Sequence, residues 1–158
     1  LAQAVGDLWA VGRIPVAAEH LASEVIVHAL KGGLRNRGAG PLVAASCLPG
    51  ERHEWGVLTS LTVLQDRGWR IQYLGADLPV GDMLEAAWKL RPAVVALSAS
   101  DARIVAANLP PLLALPGKLP PGTAAVVGGR GMTAHASALR ARGYGIGFDA
   151  FTTGTGLR

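Results

Sequence analysis

The chain alternates between short apolar runs and longer segments in which apolar residues recur every three or four positions. Short β-rich runs are typical of buried strands, and the wider spacing is typical of one face of a helix. The predicted strands are Leu42 to Leu48, Arg70 to Leu74, Ala93 to Leu97, Ala124 to Val127 and a weaker fifth near Ile146 to Phe151. The predicted helices that separate them are His53 to Arg67, Gly81 to Leu90, Asp101 to Leu115 and Met132 to Arg142.

This regular alternation predicts the fold class. Strands that alternate with helices pair in parallel through right-handed crossovers. We therefore expect an α/β fold with a flavodoxin-like, Rossmann-type sheet of five parallel strands. In such sheets ligands bind outside the carboxyl ends of the strands, so residues that follow a strand are the first candidates for function.

The residues before the first strand have helical spacing and no strand pattern. Residues 1–10 read as the end of one helix, and a longer amphipathic helix begins near Val16. Two helices cannot bury both of their apolar faces alone, so their partners are the following domain, upstream helices or another chain. Asn36 to Pro41 reads as a short linker. We divide the chain into part of a helical bundle, 1–38, and an α/β domain, 39–158.

Composition and charge narrow the class of protein. The chain has 158 residues and a net charge of +4 that is scattered, without a dense basic block or a nucleic-acid-binding motif. The sequence has no uninterrupted apolar stretch of about eighteen residues, the length that a membrane span requires, and it shows no secretory leader. We therefore expect a cytoplasmic protein without membrane contact. The single cysteine, Cys47, lies in the first apolar run and reads as a buried structural thiol. The chain starts at Leu1 within a helical pattern, which indicates a fragment of a longer protein.

The junction after the first predicted strand carries the strongest candidate chemistry. His53 lies there, two residues after Glu51 and three before Gly56. A carboxylate at this distance can accept one ring N–H, so that the other imidazole nitrogen keeps a free lone pair for a metal. Gly56 leaves room for a bulky group at the start of the helix. Taken alone, the motif is more typical of a solvated loop histidine beside a helix-capping acid than of a metal ligand.

Small and polar residues follow three other predicted strands. Because parallel strands point the same way, all of these residues share one edge of the sheet with His53. Hydroxyl groups there can bind a polar heterocycle, and glycines can leave room for its flat face, although both residue types also simply turn a chain after a strand. The residues are Ser98 and Ser100 after the third strand, Gly128 and Gly129 after the fourth, and Gly75 and Asp77 after the second.

The separations between these motifs carry more information than the motifs themselves. Forty-one residues lie between Gly56 and Ser98, and twenty-seven lie between Ser100 and Gly128. The sequence here resembles the cobalamin-binding domain shared by methionine synthase, acyl-CoA mutases and corrinoid proteins. That family's pattern is Asp-x-His-x-x-Gly, then Ser-x-Leu, then Gly-Gly at closely similar separations. The resemblance covers Pro41 to about Gly154.

The resemblance implies a role for each matching residue. It makes His53 the lower axial ligand of cobalt, in place of the dimethylbenzimidazole of the cofactor. Two departures stand out: Glu51 replaces an aspartate, which adds one methylene to the acid beside the histidine, and Ser100 replaces a leucine, which adds a hydroxyl that could reach the nucleotide tail. The cofactor contacts that the resemblance implies within the domain are Glu51, His53, Gly56, Ser98, Ser100, Gly128 and Gly129. Gly75 is added for its place after the second strand on the same edge, where it could contact corrin amides or simply form a turn.

The residues ahead of the domain point to a narrower family. Trp9 is followed after nine residues by Glu19 and His20. This spacing resembles the Trp-x9-Glu-His motif of the adenosylcobalamin photoreceptors of the CarH and LitR type, light-sensitive transcriptional repressors in which a helical bundle covers the upper face of the cofactor. By this resemblance the indole lies against the adenosyl group, and the carboxylate accepts hydrogen bonds from its ribose hydroxyls. Read singly, Trp9 is typical of a core aromatic and His20 of a satisfied helix histidine.

One position departs from that family. In its well-studied members the residue after the tryptophan is a histidine that binds cobalt after photolysis, and here that residue is Ala10. Water, or His20 after a helix movement, would have to serve instead. The family's N-terminal DNA-binding region is also absent from this sequence, so we do not expect DNA binding by the chain alone.

Three hypotheses follow from the sequence. The favoured one is a non-enzymatic sensory domain that binds adenosylcobalamin through His53, forms a homo-oligomer, and reaches DNA only through a region outside this chain. The second is a corrinoid carrier of a methyltransferase system, which also places helices before the same fold; Trp9, Glu19 and His20 argue against it. The third is a flavodoxin-like domain whose motif spacing is fortuitous.

Overall fold

The computed structural model describes Arg13 and residues 15–153. Within these residues five parallel strands form one sheet in the order β2-β1-β3-β4-β5, so the predicted α/β fold class is confirmed. The strands are β1 Leu42–Cys47, β2 Arg70–Tyr73, β3 Val94–Ser98, β4 Ala124–Gly128 and β5 Tyr144–Ile146. The helices are α1 Val16–Gly33, α2 Trp55–Asp66, α3 Val80–Leu90, α4 Ala102–Ala107, α5 Leu109–Ala114, α6 Ala136–Ala141 and α7 Ala150–Thr153. Short 3-10 helices cover Pro116–Lys118 and Arg130–His135.

Both faces of the sheet are covered by helices. The apolar residues of one face pack against α3, α4, α5 and α6. Those of the other face pack against α2 and α7, and this second core includes Leu58, Leu61 and Phe151. Coverage of both faces explains why β1 and β3 are almost entirely apolar, since neither face of these strands meets water.

The fifth strand is shorter than the sequence predicts and lies earlier. The predicted run from Ile146 to Phe151 is wrong, because the strand ends at Ile146. Gly147 follows with a φ of 76°, a left-handed conformation that turns the chain away, while its N–H still donates to the carbonyl of Val127 at 2.8 Å. The chain then enters α7, so Phe151 is a core residue of a helix rather than of a strand.

Two predicted helices are interrupted. The predicted helix from Asp101 to Leu115 divides at Asn108 into α4 and α5. Pro110 and Pro111 follow after Leu109 and have no N–H with which to continue the hydrogen bonds of α4. The predicted helix from Met132 to Arg142 begins as a 3-10 helix and becomes α-helical only at Ala136.

Helix α1 is bonded to the sheet domain at its C-terminal end. Its residues Val27 and Leu30 pack on the core beneath α2. The side chain of Gln65, on α2, accepts from the N–H of Arg35 at 2.5 Å and donates to the carbonyl of Gly33 at 3.1 Å. The segment after α1, which precedes the linker predicted from Asn36, runs beside β2, where the N–H of Ile71 donates to the carbonyl of Arg35 at 3.3 Å. No helix in the described part of the chain is both long and apolar enough to cross a bilayer.

Candidate functional site

The loop between β1 and α2, residues 48–54, is the centre of the candidate site, and we call it the ligand loop. Within it one carboxylate oxygen of Glu51 lies 2.7 Å from Nδ1 of His53 and also accepts the backbone N–H of His53 at 2.8 Å. The other carboxylate oxygen accepts the hydroxyl of Ser100 at 2.6 Å and the backbone N–H of Ser100. Glu51 therefore joins the ligand loop to the residues that follow β3.

The carboxyl group of Glu51 is fully buried and ionised. Burial raises its pKa, but hydrogen bonds from the hydroxyl and N–H of Ser100 and from His53 outweigh burial and lower the pKa from 4.5 to about 2. Four hydrogen bonds to the two oxygens satisfy a charge that burial would otherwise penalise heavily.

The imidazole of His53 is oriented by this carboxylate but remains open to solvent. An ionised carboxylate can only accept a hydrogen bond, so a neutral imidazole carries its proton on Nδ1 and its lone pair on Nε2. The side chain of His53 is 82% exposed, in contrast to Glu51 beneath it. The arrangement presents one oriented imidazole nitrogen at the carboxyl edge of the sheet, which is the form in which histidine binds a metal.

Two side chains from other parts of the chain brace the ligand loop. Asp77, which follows β2, accepts the N–H of Gly50 at 2.7 Å, and its own N–H donates to the carbonyl of Glu51 at 3.2 Å. Asp77 has a φ of 56°, which aspartate tolerates better than most residues. Asn108 donates to the carbonyl of Pro49 at 3.0 Å. The backbone around His53 is thus held from two directions.

The residue after His53 joins the ligand loop to α1. Glu54 forms an ion pair with Lys31 of α1 at 2.7 Å and accepts the hydroxyl of Tyr73 at 2.6 Å. The thiol of Cys47 lies beneath this pair, 3.7 Å from the Tyr73 hydroxyl. Burial raises the pKa of Cys47 to about 11, so the thiol stays protonated and agrees with the predicted structural role.

Two concave surfaces flank the ligand loop. The first is a cavity of about 240 Å³ between α2 and the sheet, which contains Gly56, Ser98, Gly128 and Gly129 in its wall. The second is an open groove of about 420 Å³ that includes His53. The other residues of the groove are Ser100, Asp101, Ala102, Arg130 and Gly131.

Glycine serves two different purposes around the cavity. A Cβ atom added at Gly56 or Gly128 would meet nothing within 4 Å, so these glycines leave space that the folded chain itself does not use. Gly129 has a φ of 95°, and a Cβ atom there would lie 2.2 Å from the carbonyl oxygen of Ala99. Gly129 is therefore required by the backbone, whereas Gly56 and Gly128 keep the cavity open.

The predicted site residues of the α/β domain lie in the wall of the cavity, in the cluster around Glu51, or, for Gly75, in a turn after β2. Gly56, Ser98, Gly128 and Gly129 line the cavity, while Glu51, His53 and Ser100 form the hydrogen-bonded cluster beside it. The hydroxyl of Ser100, expected near a nucleotide tail, instead donates to the carboxylate of Glu51. Gly75 forms a turn with a φ of 101° and accepts the N–H of Cys47 at 3.1 Å.

The predicted cap residues are described only in part. Trp9, like Ala10, lies outside the described residues. The backbone of Glu19 is part of α1, but its side chain is outside the described part of the structure. His20 lies on the same helix and is exposed. Their predicted contacts with an upper ligand remain predictions.

Several wall residues of the cavity were not singled out from the sequence. Three of them are on α2, where the helical spacing of residues after Gly56 could have indicated which residues share a face with that glycine. Phe148 and Phe151 had none, because the sequence assigned them to a strand. The missed residues are Val57, Ser60, Leu61, Ala96, Leu97, Val126, Gly147, Phe148 and Phe151.

The donor set suits a metal that already has other ligands. In the described part of the chain no three His, Cys, Asp or Glu side chains cluster as a metal site would require. His53 instead offers one imidazole beside a cavity and a groove. A cobalt ion held by the four nitrogens of a corrin ring needs only such an axial ligand from the protein, so the residues present fit a corrinoid.

Comparisons with solved structures agree with this fold. A cobalamin-binding protein from Desulfitobacterium hafniense DCB-2 superposes with a TM-score of 0.57 at 19% identity, covering 92% of this chain and 70% of that protein. The monomethylamine corrinoid protein of Methanosarcina barkeri gives a TM-score of 0.65 at 19% identity, covering 92% and 71% respectively. At this identity the likeness shows the fold alone.

Sequence comparisons are more specific. The chain is 42% identical over 94 residues to the HTH-type transcriptional repressor CarA of Myxococcus xanthus, covering 58% of this chain and 33% of that protein. It is 33% identical over 138 residues to the repressor CarH of the same organism, covering 83% and 44%. The chain thus spans less than half the length of these two relatives. Residues 41–157 match the family model of the B12 binding domain, and the chain belongs to that family.

Proposed function

We propose that this chain is the adenosylcobalamin-binding, light-sensing domain of a transcriptional regulator. His53 is the lower axial ligand, the groove beside it takes the corrin ring, and the cavity takes the nucleotide tail. The observation that carries the proposal is the buried, ionised Glu51 that orients an exposed His53 next to a cavity kept open by glycine. The repressors CarA and CarH, which are similar to this chain, support the regulatory part.

The proposed switch depends on α1 and the residues before it. When bound, adenosylcobalamin supplies a cobalt–carbon bond that light can break. Trp9 and Glu19 contact the adenosyl group in the dark, and loss of that group removes contacts that favour one position of the helices. The domain acts as a homo-oligomer in the cytoplasm, and DNA binding belongs to a region outside this sequence.

A corrinoid carrier for methyl transfer is the second candidate. The monomethylamine corrinoid protein of Methanosarcina barkeri shares the fold across 92% of the chain. Ala10 also occupies the position where the photoreceptor family has the histidine that binds cobalt after photolysis, so this chain has no such histidine there. A carrier and a sensor differ in their preferred upper ligand and in their response to light, so one experiment separates them.

The test is an absorption spectrum of the protein with adenosylcobalamin in darkness and after green light, with the oligomeric state measured by light scattering in both conditions. We expect a bound cofactor whose lower ligand is a histidine, and a change of both spectrum and oligomeric state on illumination. His53→Ala should lose the spectral signature of histidine ligation. His28→Ala, an exposed histidine of α1, is the matched control and should keep it.

The possible failures are distinct. A protein that retains no corrinoid contradicts both candidate functions. Tight binding that light leaves unchanged, with methylcobalamin bound equally well, rejects the sensor and supports the carrier. An unchanged spectrum in His53→Ala rejects His53 as the axial ligand.

A further inference from the structure

We propose that the cavity beneath α2 selects corrinoids by the base at the end of the nucleotide tail, accepting an alkyl-substituted benzimidazole and discriminating against a purine. This inference rests on the proposed cofactor class and adds which member of that class the protein takes. It depends on the wall of the cavity and not on His53.

The cavity has an open end and an inner end. Gly56, Gly128 and Gly129 lie at the carboxyl edge of the sheet and form the open end. Phe148 and Phe151 lie at the end farther from these glycines, which we call the inner end: Phe148 is partly exposed and lies 5.0 Å from the guanidinium of Arg67, and Phe151 packs edge-on against Trp69 at 6.0 Å. Arg67 and Trp69 follow the far end of α2, so a group that enters past the glycines comes to rest against the phenyl rings.

The volume suits a fused bicyclic ring. A cavity of about 150 Å³ in a protein core accommodates benzene. The cavity here measures about 240 Å³, which exceeds the space that a single six-membered ring requires. Both a benzimidazole and a purine meet this size criterion, so size alone does not select between them.

The polarity of the cavity wall distinguishes the benzimidazole from the purine. Among the described residues of the wall, two side chains carry a polar atom, Ser60 and Ser98. The hydroxyl of Ser60 already donates to the carbonyl of Gly56 at 2.8 Å, and Ser98 is paired with Gly128 at the open end, away from the phenyl rings. Several backbone groups of the wall are also engaged: the carbonyl of Gly128 accepts the N–H of Ala99, and the N–H of Gly147 donates to Val127. The side chains at the inner end are hydrocarbon.

A purine would therefore enter with unsatisfied hydrogen-bonding groups. Adenine carries an amine and several ring nitrogens that water satisfies in solution, and burial without partners is unfavourable for each of them. The two methyl groups of dimethylbenzimidazole gain from contact with Phe148 and Phe151 instead. Both effects favour the same base, and we expect at least about tenfold tighter binding of the benzimidazole form.

The experiment compares three cofactors in darkness by spectroscopic titration of the same protein: adenosylcobalamin, its analogue with adenine as the lower base, and adenosylcobinamide, which has no nucleotide tail. The expected order is cobalamin first, then the adenine form at least about tenfold weaker, with cobinamide weaker than cobalamin. The variants Phe148→Gln and Phe148→Leu form a matched pair. Both variants lose the contact with Arg67, but only the glutamine places an amide in the wall of the cavity. Only Phe148→Gln should therefore reduce the ratio of the affinity for adenosylcobalamin to the affinity for the adenine analogue.

Each outcome decides one question. If no corrinoid binds, the proposed function itself fails. If the cobalamin and adenine forms bind equally, the cofactor class stands and the proposed selection is overturned. Cobinamide binding as tightly as cobalamin also overturns it, because the tail would then gain nothing from the cavity. An equal preference in Phe148→Gln and Phe148→Leu removes Phe148 from the selecting wall.

Discussion

At the scale of single residues, Glu51 decides how the site is built. It stands where the related cobalamin-binding pattern has an aspartate, and its one carboxylate contacts both His53 and Ser100. The hydroxyl of Ser100 is drawn to the acid and not to the cavity. Two departures from the pattern thus belong to a single hydrogen-bonded unit.

The ionised state of Glu51 makes a pH-dependent contribution to stability. Its pKa is depressed from 4.5 to about 2, so the contribution is complete above pH 4.5 and is lost as the pH falls through about 2. A shift of this size corresponds to about 3 kcal/mol. We expect Glu51→Gln to lower the free energy of unfolding at pH 7, and the difference from the unmodified chain to shrink between pH 4.5 and pH 2.

Urea unfolding at a series of pH values measures this difference. Glu85→Gln is the control, because Glu85 is exposed and pairs only with Lys89 one helical turn away. It should change stability little at any pH. A destabilisation by Glu51→Gln that stays constant from pH 7 to pH 2 would show that the carboxylate is not ionised in the folded protein.

At the scale of elements, the ligand loop is held in place by residues that are distant in the sequence. Asp77 and Asn108 bond its backbone, and Glu54 bonds Lys31 of α1. The loop therefore presents His53 on a braced backbone, which favours metal binding because little conformational freedom is lost.

A pair of substitutions at Asp77 tests this bracing. Asp77→Asn keeps an oxygen acceptor for Gly50 and tolerates the φ of 56°, whereas Asp77→Ala loses the acceptor and fits the left-handed conformation poorly. We expect the alanine variant to lose about 1–2 kcal/mol of stability and to bind corrinoid more weakly, and the asparagine variant to stay close to the unmodified chain. Thermal unfolding and spectroscopic titration measure the two effects. Equal losses in both variants would mean that the charge of Asp77 matters and the bracing does not.

At the scale of the whole molecule, α1 is bonded to the sheet domain at its C-terminal end and exposes apolar side chains towards its N-terminal end. Its C-terminal end is bonded to Gln65, to Glu54 and, through Arg35, to β2. Towards its N-terminal end Val16, Leu21 and Val25 are 54%, 67% and 61% exposed. A change transmitted from the cofactor should therefore affect the N-terminal half of α1 and leave its junction with the sheet in place.

Hydrogen exchange of the adenosylcobalamin complex tests where the change occurs. We expect peptides from residues 30–37 to keep the same protection in darkness and after illumination, and peptides from residues 16–25 to exchange faster after illumination. The same illumination of the cofactor-free protein is the control and should alter neither region. A change in residues 30–37 equal to that in 16–25 would show that α1 moves as a whole.

The sequence by itself determined the features that depend on neighbouring residues. Hydrophobic spacing placed the first four strands within a residue or two of their observed ends and predicted the parallel sheet. The two-residue separation predicted the contact of Glu51 with His53, because so short a stretch of chain keeps the two side chains together. The strand-end glycines and serines reached the same edge for an equally simple reason, the common direction of parallel strands.

The tertiary structure alone decided the features that depend on packing between distant parts of the chain. No local pattern shows that Gly147 ends β5 and turns Phe148 and Phe151 into the cavity wall. The pairing of Ser100 with Glu51 spans 49 positions, and it became visible only when β1 and β3 lay side by side. An apolar residue has the same hydrophobicity wherever it lies, so spacing could place these rings inside the protein but could not say which face of a cavity they form.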